Sequence, residues 1–337
     1  MSALLAIDDL VVTYRSSGTL SQWLSRQAAP RIRAVDGVSL QLFKGDSFGL
    51  VGESGCGKST LGRAVFRLTP AASGTVLFDG ENVLTMSRRP LLEFRRRAQM
   101  VFQDPFGSLN PRLTVFETLS EVLEVHNVCP ANQRRDRVLS LLQRVGLSAA
   151  LADRKAHGLS GGQCQRVGIA RALAVGAELI VADEPISALD VSIQAQILNL
   201  LGELQRQGDL TLLLIAHDLG VVRYLCQRVA VMYLGRIVEE GPVERVFDDP
   251  CHPYTQSLIE AIPRMSPDAG VPGQSIQGEP PNPRERPEGC PFHPRCPKAM
   301  PECKSGLPPS AREVRGRRVW CLLYPESTNA PQSGTIK

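Results

Sequence analysis

Three short stretches of this 337-residue chain have residue types and spacing suited to phosphate chemistry. The first, Gly52-Glu53-Ser54-Gly55-Cys56-Gly57-Lys58-Ser59-Thr60, fits the pattern G-x-x-x-x-G-K-[ST]. Glycines at these positions let backbone N–H groups turn inward around phosphate oxygens, and a following helix adds a favourable dipole. In that setting Lys58 would reach the β- and γ-phosphates, Ser59 would ligate Mg²⁺ and Thr60 would hydrogen-bond the α-phosphate. The second stretch is Asp183-Glu184, at the end of the apolar run Leu179-Ile180-Val181-Ala182. Acidic side chains at the carboxyl edge of a parallel sheet face a ligand crevice. There Asp183 would hold Mg²⁺ through water, and Glu184 would orient and deprotonate an attacking water. Capping the next helix is the other use of such a pair; the glycine loop and the spacing favour the first. The third stretch is Leu159-Ser160-Gly161-Gly162-Gln163. The Ser160 hydroxyl and the N–H groups of Gly161 and Gly162 would open a helix running to about Val175 and form an anion cradle.

Such groups need strands and helices to aim them. Residues 3–14, Ala34–Phe43, Ser47–Val51, Thr75–Phe78, Leu179–Ala182, Thr211–Ala216 and Val229–Tyr233 read as strands. Lys58–Leu68, Val115–Val125, Gln133–Val145 and Ile193–Gln207 read as helices. Strands alternating with helices imply a mostly parallel α/β sheet, interrupted by a helical block over about 103–176. Residues 15–33, with a lone Trp23, read as a polar insertion. Thirteen of the 25 prolines fall in residues 263–309, which disfavours long helices and central strands there. A boundary near 262 is expected, with an irregular tail that needs a staple.

A 43% hydrophobic content suffices for a large core, and a net charge of +4 is too mild to argue for nucleic acid. No apolar run approaches the ~20 residues that cross a bilayer, and the N-terminus lacks the pattern of a signal peptide. The chain is expected to stay in the cytosol, held at a membrane only by other subunits. Cys56, Cys129, Cys164, Cys226 and Cys251 are scattered and read as small buried hydrophobes. Cys290, Cys296, Cys303 and Cys321 cluster with spacing C-x5-C-x6-C-x17-C. This spacing lacks the close pair usual for structural zinc, while four thiolates also suit an iron–sulfur cluster. Cluster, zinc and unmetallated thiols all stay open.

In this order the three stretches resemble the ATP-binding subunits of ABC transporters, whose signature is the pentapeptide 159–163. The resemblance implies a P-loop NTPase of ABC type: a mostly parallel sheet, an antiparallel β subdomain, an inserted helical subdomain and an irregular cysteine-containing extension. It makes ATP the ligand of residues 52–60, with Mg²⁺ on Ser59, Asp183 and Gln103. Gln103, in Met100-Val101-Phe102-Gln103-Asp104-Pro105, matches the Q-loop glutamine. His217 matches the switch histidine, Ser187-Ala188-Leu189-Asp190 the D-loop, and Tyr14 the aromatic that stacks on adenine. Glu184, His217 and Gln103 are thereby the expected catalytic set. Ser160, Gly161, Gly162 and Gln163 would face ATP held by another subunit in a head-to-tail dimer. One departure is Cys164, where the family commonly has Arg.

The stretches 52–60, Phe102–Arg112 and His252-Pro253-Tyr254-Thr255 are similar to those of oligopeptide and dipeptide importers. The insertion at 15–33 resembles the second of their two ATPase subunits. The implied partners are a homologous second ATPase, two transmembrane permeases and an external substrate-binding protein, with the chain on the cytoplasmic face of the membrane. Nickel and glutathione importers share these motifs. For the tail the resemblance implies a [4Fe–4S] cluster.

Overall fold

The computed structural model describes residues 2–15, 31–187, 189–207, 210–261, 278–279 and 281–325. Most of the insertion read at 15–33, Trp23 included, lies outside them. In chain order the elements are β1 (Leu5–Arg15), β2 (Arg31–Leu42), β3 (Ser47–Val51), α1 (Lys58–Val65), β4 (Ser73–Phe78) and β5 (Glu81–Asn82). Next come α2 (Arg88–Arg97), β6 (Ala98–Val101), α3 (Val115–Val125), α4 (Arg134–Arg144), α5 (Gly161–Ala174) and β7 (Leu179–Asp183). Then follow α6 (Val191–Arg206), β8 (Thr211–Ala216), α7 (Leu219–Leu225), β9 (Arg228–Tyr233), β10 (Arg236–Pro242), α8 (Val243–Asp248) and α9 (Pro253–Glu260). The tail adds β11 (Arg312–Val314) and β12 (Arg317–Val319).

The larger sheet has the order β11-β12-β10-β9-β3-β8-β7-β6, in which β9, β3, β8, β7 and β6 run parallel. Residues 47–51, 179–183 and 211–216 are buried throughout, as expected for parallel strands covered on both faces. Side chains alternate between faces because the strand period is two. Val51, Ala182, Leu214 and Val231 join the core shared with the helical block. Leu50, Val181, Leu213, Ile215 and Met232 join the core shared with the small antiparallel sheet β2-β1-β4-β5. Register then sets the site. Val51 pairs with Ala216, Asp183 with Ile215, and Val101 with Ala182. The segments leaving these strands, at Gly52, His217, Glu184 and Phe102, therefore emerge at one carboxyl edge.

In the helical block, Leu119 and Leu123 of α3, Val138 and Leu142 of α4, and Val167 of α5 share the first of these cores. The start of α3 is fixed by a capping box: the Glu117 N–H donates to Thr114 Oγ1 at 3.1 Å, and the Thr114 N–H donates to Glu117 Oε2 at 2.7 Å.

The described residues between 278 and 309 hold only the short turns His293–Arg295 and Pro301–Lys304, as an irregular tail should, and a hairpin follows that was not expected. The β11–β12 hairpin turns at Arg315 and Gly316, both with positive φ, and β12 pairs with β10 to extend the main sheet. Two consecutive positive-φ residues match the twist of a tight hairpin. The helix α2 and the strand β6 just after it were also not read; six of the ten residues of α2 are charged Arg or Glu, beside Pro90, Leu91, Leu92 and the buried Phe94.

Candidate nucleotide and hydrolysis site

The segment 52–60 leaves β3 and enters α1, with Gly57 as the residue before the helix at φ +111°. A Cβ there would lie 2.1 Å from the Ala34 carbonyl oxygen, so the loop needs glycine for space as well as conformation. Gly52, at φ +154°, would meet the Met232 carbonyl oxygen at the same distance. Lys58 is buried inside the loop and donates to the carbonyl oxygens of Gly52 at 2.7 Å and Glu53 at 2.9 Å. Its Nζ also lies 3.8 Å from Cys56 Sγ, whose thiol burial pushes above the ordinary range. Tyr14, half-exposed, places its hydroxyl 3.3 Å from Thr60 Oγ1.

The expected magnesium ligands on β7 and α1 meet directly: Ser59 Oγ donates to Asp183 Oδ1 at 2.7 Å. Asp183 is fully buried, and its Oδ2 has no hydrogen-bond partner among the described residues. Burial raises its carboxyl above the usual range, while the Ser59 bond and the nearby Arg63 and Lys58 oppose that shift.

Glu184, Gln103 and His217 converge on one oxygen. Gln103 Nε2 donates to Glu184 Oε2 at 2.9 Å, and His217 Nδ1 lies 3.3 Å from the same atom. The backbone of Glu184 is in the left-handed region at φ +45°, which costs an L-residue about 1–2 kcal/mol. It is held there by its N–H to the Ile215 carbonyl at 2.9 Å and by Ser187 Oγ, which donates to its carbonyl at 3.1 Å. Ser187 Oγ also lies 3.5 Å from Gln103 Nε2, so the segment after β7 touches the trio.

The pentapeptide opens α5 as expected. Ser160 is its N-cap, accepting from the Gln163 N–H at 3.3 Å, and Gln163 Oε1 accepts from the Ser160 N–H at 3.0 Å. A Cβ on Gly162 would lie 2.4 Å from Ile193 Cγ2, so this glycine is needed for α5 to pack on α6. One on Gly161 would lie 3.2 Å from Leu189 Cδ2 and 3.6 Å from Phe106 Cε2. These neighbours come from the D-loop and from the segment after Gln103, not from residues 52–60. Cys164 is fully buried, its thiol donating to the Ala156 carbonyl at 3.6 Å, and burial raises its pKa.

Two contacts to the P-loop escaped the sequence reading. The Glu53 N–H donates to Tyr254 Oη at 2.9 Å, and the Glu53 carboxylate is forked by Arg295 of the tail. Neither was detectable from spacing, since the partners lie 201 and 242 residues away.

The four tail cysteines were expected to hold an iron–sulfur cluster or zinc. All are free, but among the described residues no group of three or more His, Cys, Asp or Glu stands close enough to hold a metal ion. Cys290, Cys296 and Cys303 lean on the main core, and Cys321 packs with Cys251 and Val319. Burial pushes the Cys290 and Cys321 thiols up to about 11, and charge on the neighbouring thiols adds to it.

Comparisons with known proteins bear on the family and the fold. The family model described as ABC transporter matches residues 35–187. A second, described as oligopeptide/dipeptide transporter, C-terminal region, matches residues 238–303. The oligopeptide transport ATP-binding protein AppF of Bacillus subtilis (strain 168) is 48% identical over 296 residues, 87% of this chain and 90% of that protein. Among solved structures, the dimeric ATP-binding cassette MJ0796, in a post-hydrolysis state with ADP and Pi, superposes with a TM-score of 0.61. It is 29% identical and covers 71% of this chain and 98% of its own. The cbiO1 subunit from Clostridium perfringens, part of a cbiONQ ABC transporter complex, also gives 0.61 at 29% identity, covering 74% of this chain and 92% of its own. Fold and site thus define a P-loop ATPase of the ATP-binding cassette class. The chain belongs to the ABC transporter ATP-binding proteins, in the group that carries the oligopeptide/dipeptide transporter C-terminal region.

Proposed function

We propose that this chain binds and hydrolyses ATP to energise import of di- and oligopeptides through a membrane ABC transporter. The convergence of Gln103 and His217 on Glu184 Oε2, one residue beyond the Ser59–Asp183 pair, carries the hydrolytic part. The peptide part is supported by the relation to AppF and by the match over residues 238–303.

The residues of 52–60 cradle the phosphates, Lys58 exchanging its loop carbonyls for phosphate oxygens, and Tyr14 stacks on adenine. Glu184 takes the proton of the attacking water, Gln103 orients that water, and His217 meets the γ-phosphate. The buried, unpartnered Oδ2 of Asp183 beside Ser59 fits a hydrated cation. Ser59, Asp183 and Gln103 would hold Mg²⁺, which neutralises charge on the β- and γ-phosphates when bound. Ser160, Gly161, Gly162 and Gln163 face the γ-phosphate of a homologous second ATPase in a head-to-tail heterodimer. Two permeases and an external binding protein complete the assembly. No described helix is long and apolar enough to cross a membrane; attachment at the cytoplasmic face is peripheral, through the permeases. The ATPase domain takes residues 1–262 and the extension 263–337. A [4Fe–4S] cluster on Cys290, Cys296, Cys303 and Cys321, with zinc as the alternative, requires these thiols to draw together. Iron, sulfide and zinc analysis after anaerobic purification decides it.

Reconstitution with the partner ATPase, the permeases and the binding protein tests the function. Peptide-loaded binding protein is expected to stimulate ATP hydrolysis. Stimulation by nickel or glutathione alone would overturn the peptide assignment, and a permease-independent rate would overturn the coupling.

A further inference from the structure

Glu53 is the second residue of the P-loop, and each of its polar groups is fixed by a different part of the chain. Its N–H donates to Tyr254 Oη at 2.9 Å, from α9. Its carbonyl accepts from Lys58 Nζ at 2.9 Å. Its carboxylate takes two parallel bonds from Arg295, Nη1 to Oε2 at 2.8 Å and Nη2 to Oε1 at 3.0 Å. Arg295 directly precedes Cys296, within the turn that begins at Cys290. Its side chain is 6% exposed and that of Glu53 23%. The guanidinium is seated by Tyr233, with Nη1 3.4 Å from Tyr233 Oη and the carbon 5.9 Å from the ring centroid. Tyr233, Tyr254 and Phe292 pack ring on ring, with centroids 4.6 to 5.3 Å apart. The aromatic cluster that positions Arg295 thus also supplies the hydroxyl that holds the Glu53 N–H.

A two-bond fork between planar groups fixes orientation as well as distance. Because the Glu53 carbonyl also holds Lys58, the fork bears on the lysine that must meet phosphate. Phosphate affinity in a P-loop depends on N–H groups already facing inward, so freedom in Glu53 costs binding before any chemistry begins. We propose that Arg295 is a positioning residue for the nucleotide: the cysteine-containing extension clamps the P-loop through Glu53, and the extension is part of the ATP site. The inference rests on the reading of residues 52–60 as the ATP cradle.

The test is equilibrium binding of MgATP, with steady-state hydrolysis, on the full chain. Wild type and Lys58→Ala are measured first: absence of binding by wild type would sink the cradle reading itself. Arg295→Ala, Arg295→Lys, Glu53→Gln and the double variant Arg295→Ala/Glu53→Gln follow. The expected result is a Kd for ATP raised about tenfold in each of Arg295→Ala and Glu53→Gln, the scale of one strong interaction lost. The double variant should be no worse than either single, since both remove one fork. Arg295→Lys, which keeps charge but loses the second bond, should fall between, and kcat at saturating ATP should change far less than KM. If Arg295→Ala does not fold, Glu53→Gln and Arg295→Lys decide alone. A Kd within twofold of wild type in those two, or losses that multiply in the double variant, would overturn the clamp and leave Arg295 as an anchor of the tail only.

Discussion

One carboxylate oxygen gathers the residues proposed to carry hydrolysis. Glu184 Oε2 meets both Gln103 and His217 while the backbone beneath it is strained at φ +45°. Strain of this kind persists where surrounding bonds over-determine the conformation, and here the Ile215 carbonyl and Ser187 supply those bonds. Replacing Glu184 by Gln keeps the shape and the strain but removes the proposed base. Turnover should fall by roughly 10² to 10³, the usual cost of losing one preorganised group, with ATP still bound. Single-turnover and equilibrium binding measurements separate the two effects, and wild-type turnover in the variant would exclude the base role. At this scale the sequence was informative about identity and silent about contact. Acidic residues after an apolar strand are visible as Asp183-Glu184, but nothing in spacing shows that Gln103, 81 residues earlier, bonds the second of them.

The junctions between elements hold the ligand-facing backbone. Gly57→Ala adds a Cβ 2.1 Å from the Ala34 carbonyl oxygen at a left-handed residue. The conformational part alone costs about 1–2 kcal/mol, so a lowered urea midpoint is expected together with loss of ATP binding. Ser160→Ala removes half of the capping box that starts α5. That change costs about 1 kcal/mol of helix stability, readable as faster amide exchange in the first turn of α5, with ATP affinity of this chain unchanged. Protection equal to wild type would show the cap to be redundant. Most strands and helices were legible because their burial follows periods of two and 3.6. Among the elements not read, α2 is mostly charged on its exposed face, and β11 and β12 span three residues each, too few to show a period.

Across the whole molecule, described residues of the tail join the ATPase sheet, β12 by pairing with β10 and Arg295 by forking Glu53. His252 caps α9, its Nδ1 accepting from the Tyr254 N–H at 3.0 Å, and its burial depresses its pKa to about 3. A histidine neutral in the folded state and titrating near 6.5 when unfolded binds more protons unfolded, so stability is fully present above pH 6.5. It declines as pH falls from there toward 3, by at most ~1.4 kcal/mol per pH unit. The adjacent Glu239, whose carboxyl is raised by burial, slopes the other way. The comparison is therefore between wild type and His252→Asn, which keeps a capping oxygen. Denaturant unfolding at pH 7.5 and 5.5 should show a larger loss for wild type, and equal losses would exclude the histidine as the source.

Local chemistry lies within short windows, and such windows were readable directly. The P-loop, the acidic strand end and the pentapeptide each need only a few neighbouring residues, so sequence alone determined the ligand class, the alternating architecture and the family. What needed three dimensions is whatever joins distant residues. Parallel register brought Gly52, Gln103, Glu184 and His217 to one edge. Folding of the tail set Cys321 near enough to Cys290, Cys296 and Cys303 for charge on one thiol to raise another. Folding of the extension onto the sheet placed Arg295 on Glu53, 242 residues away. Sequence distance carries no record of that contact, because the aromatic core that seats Arg295 exists only after the tail has folded against β9 and α9.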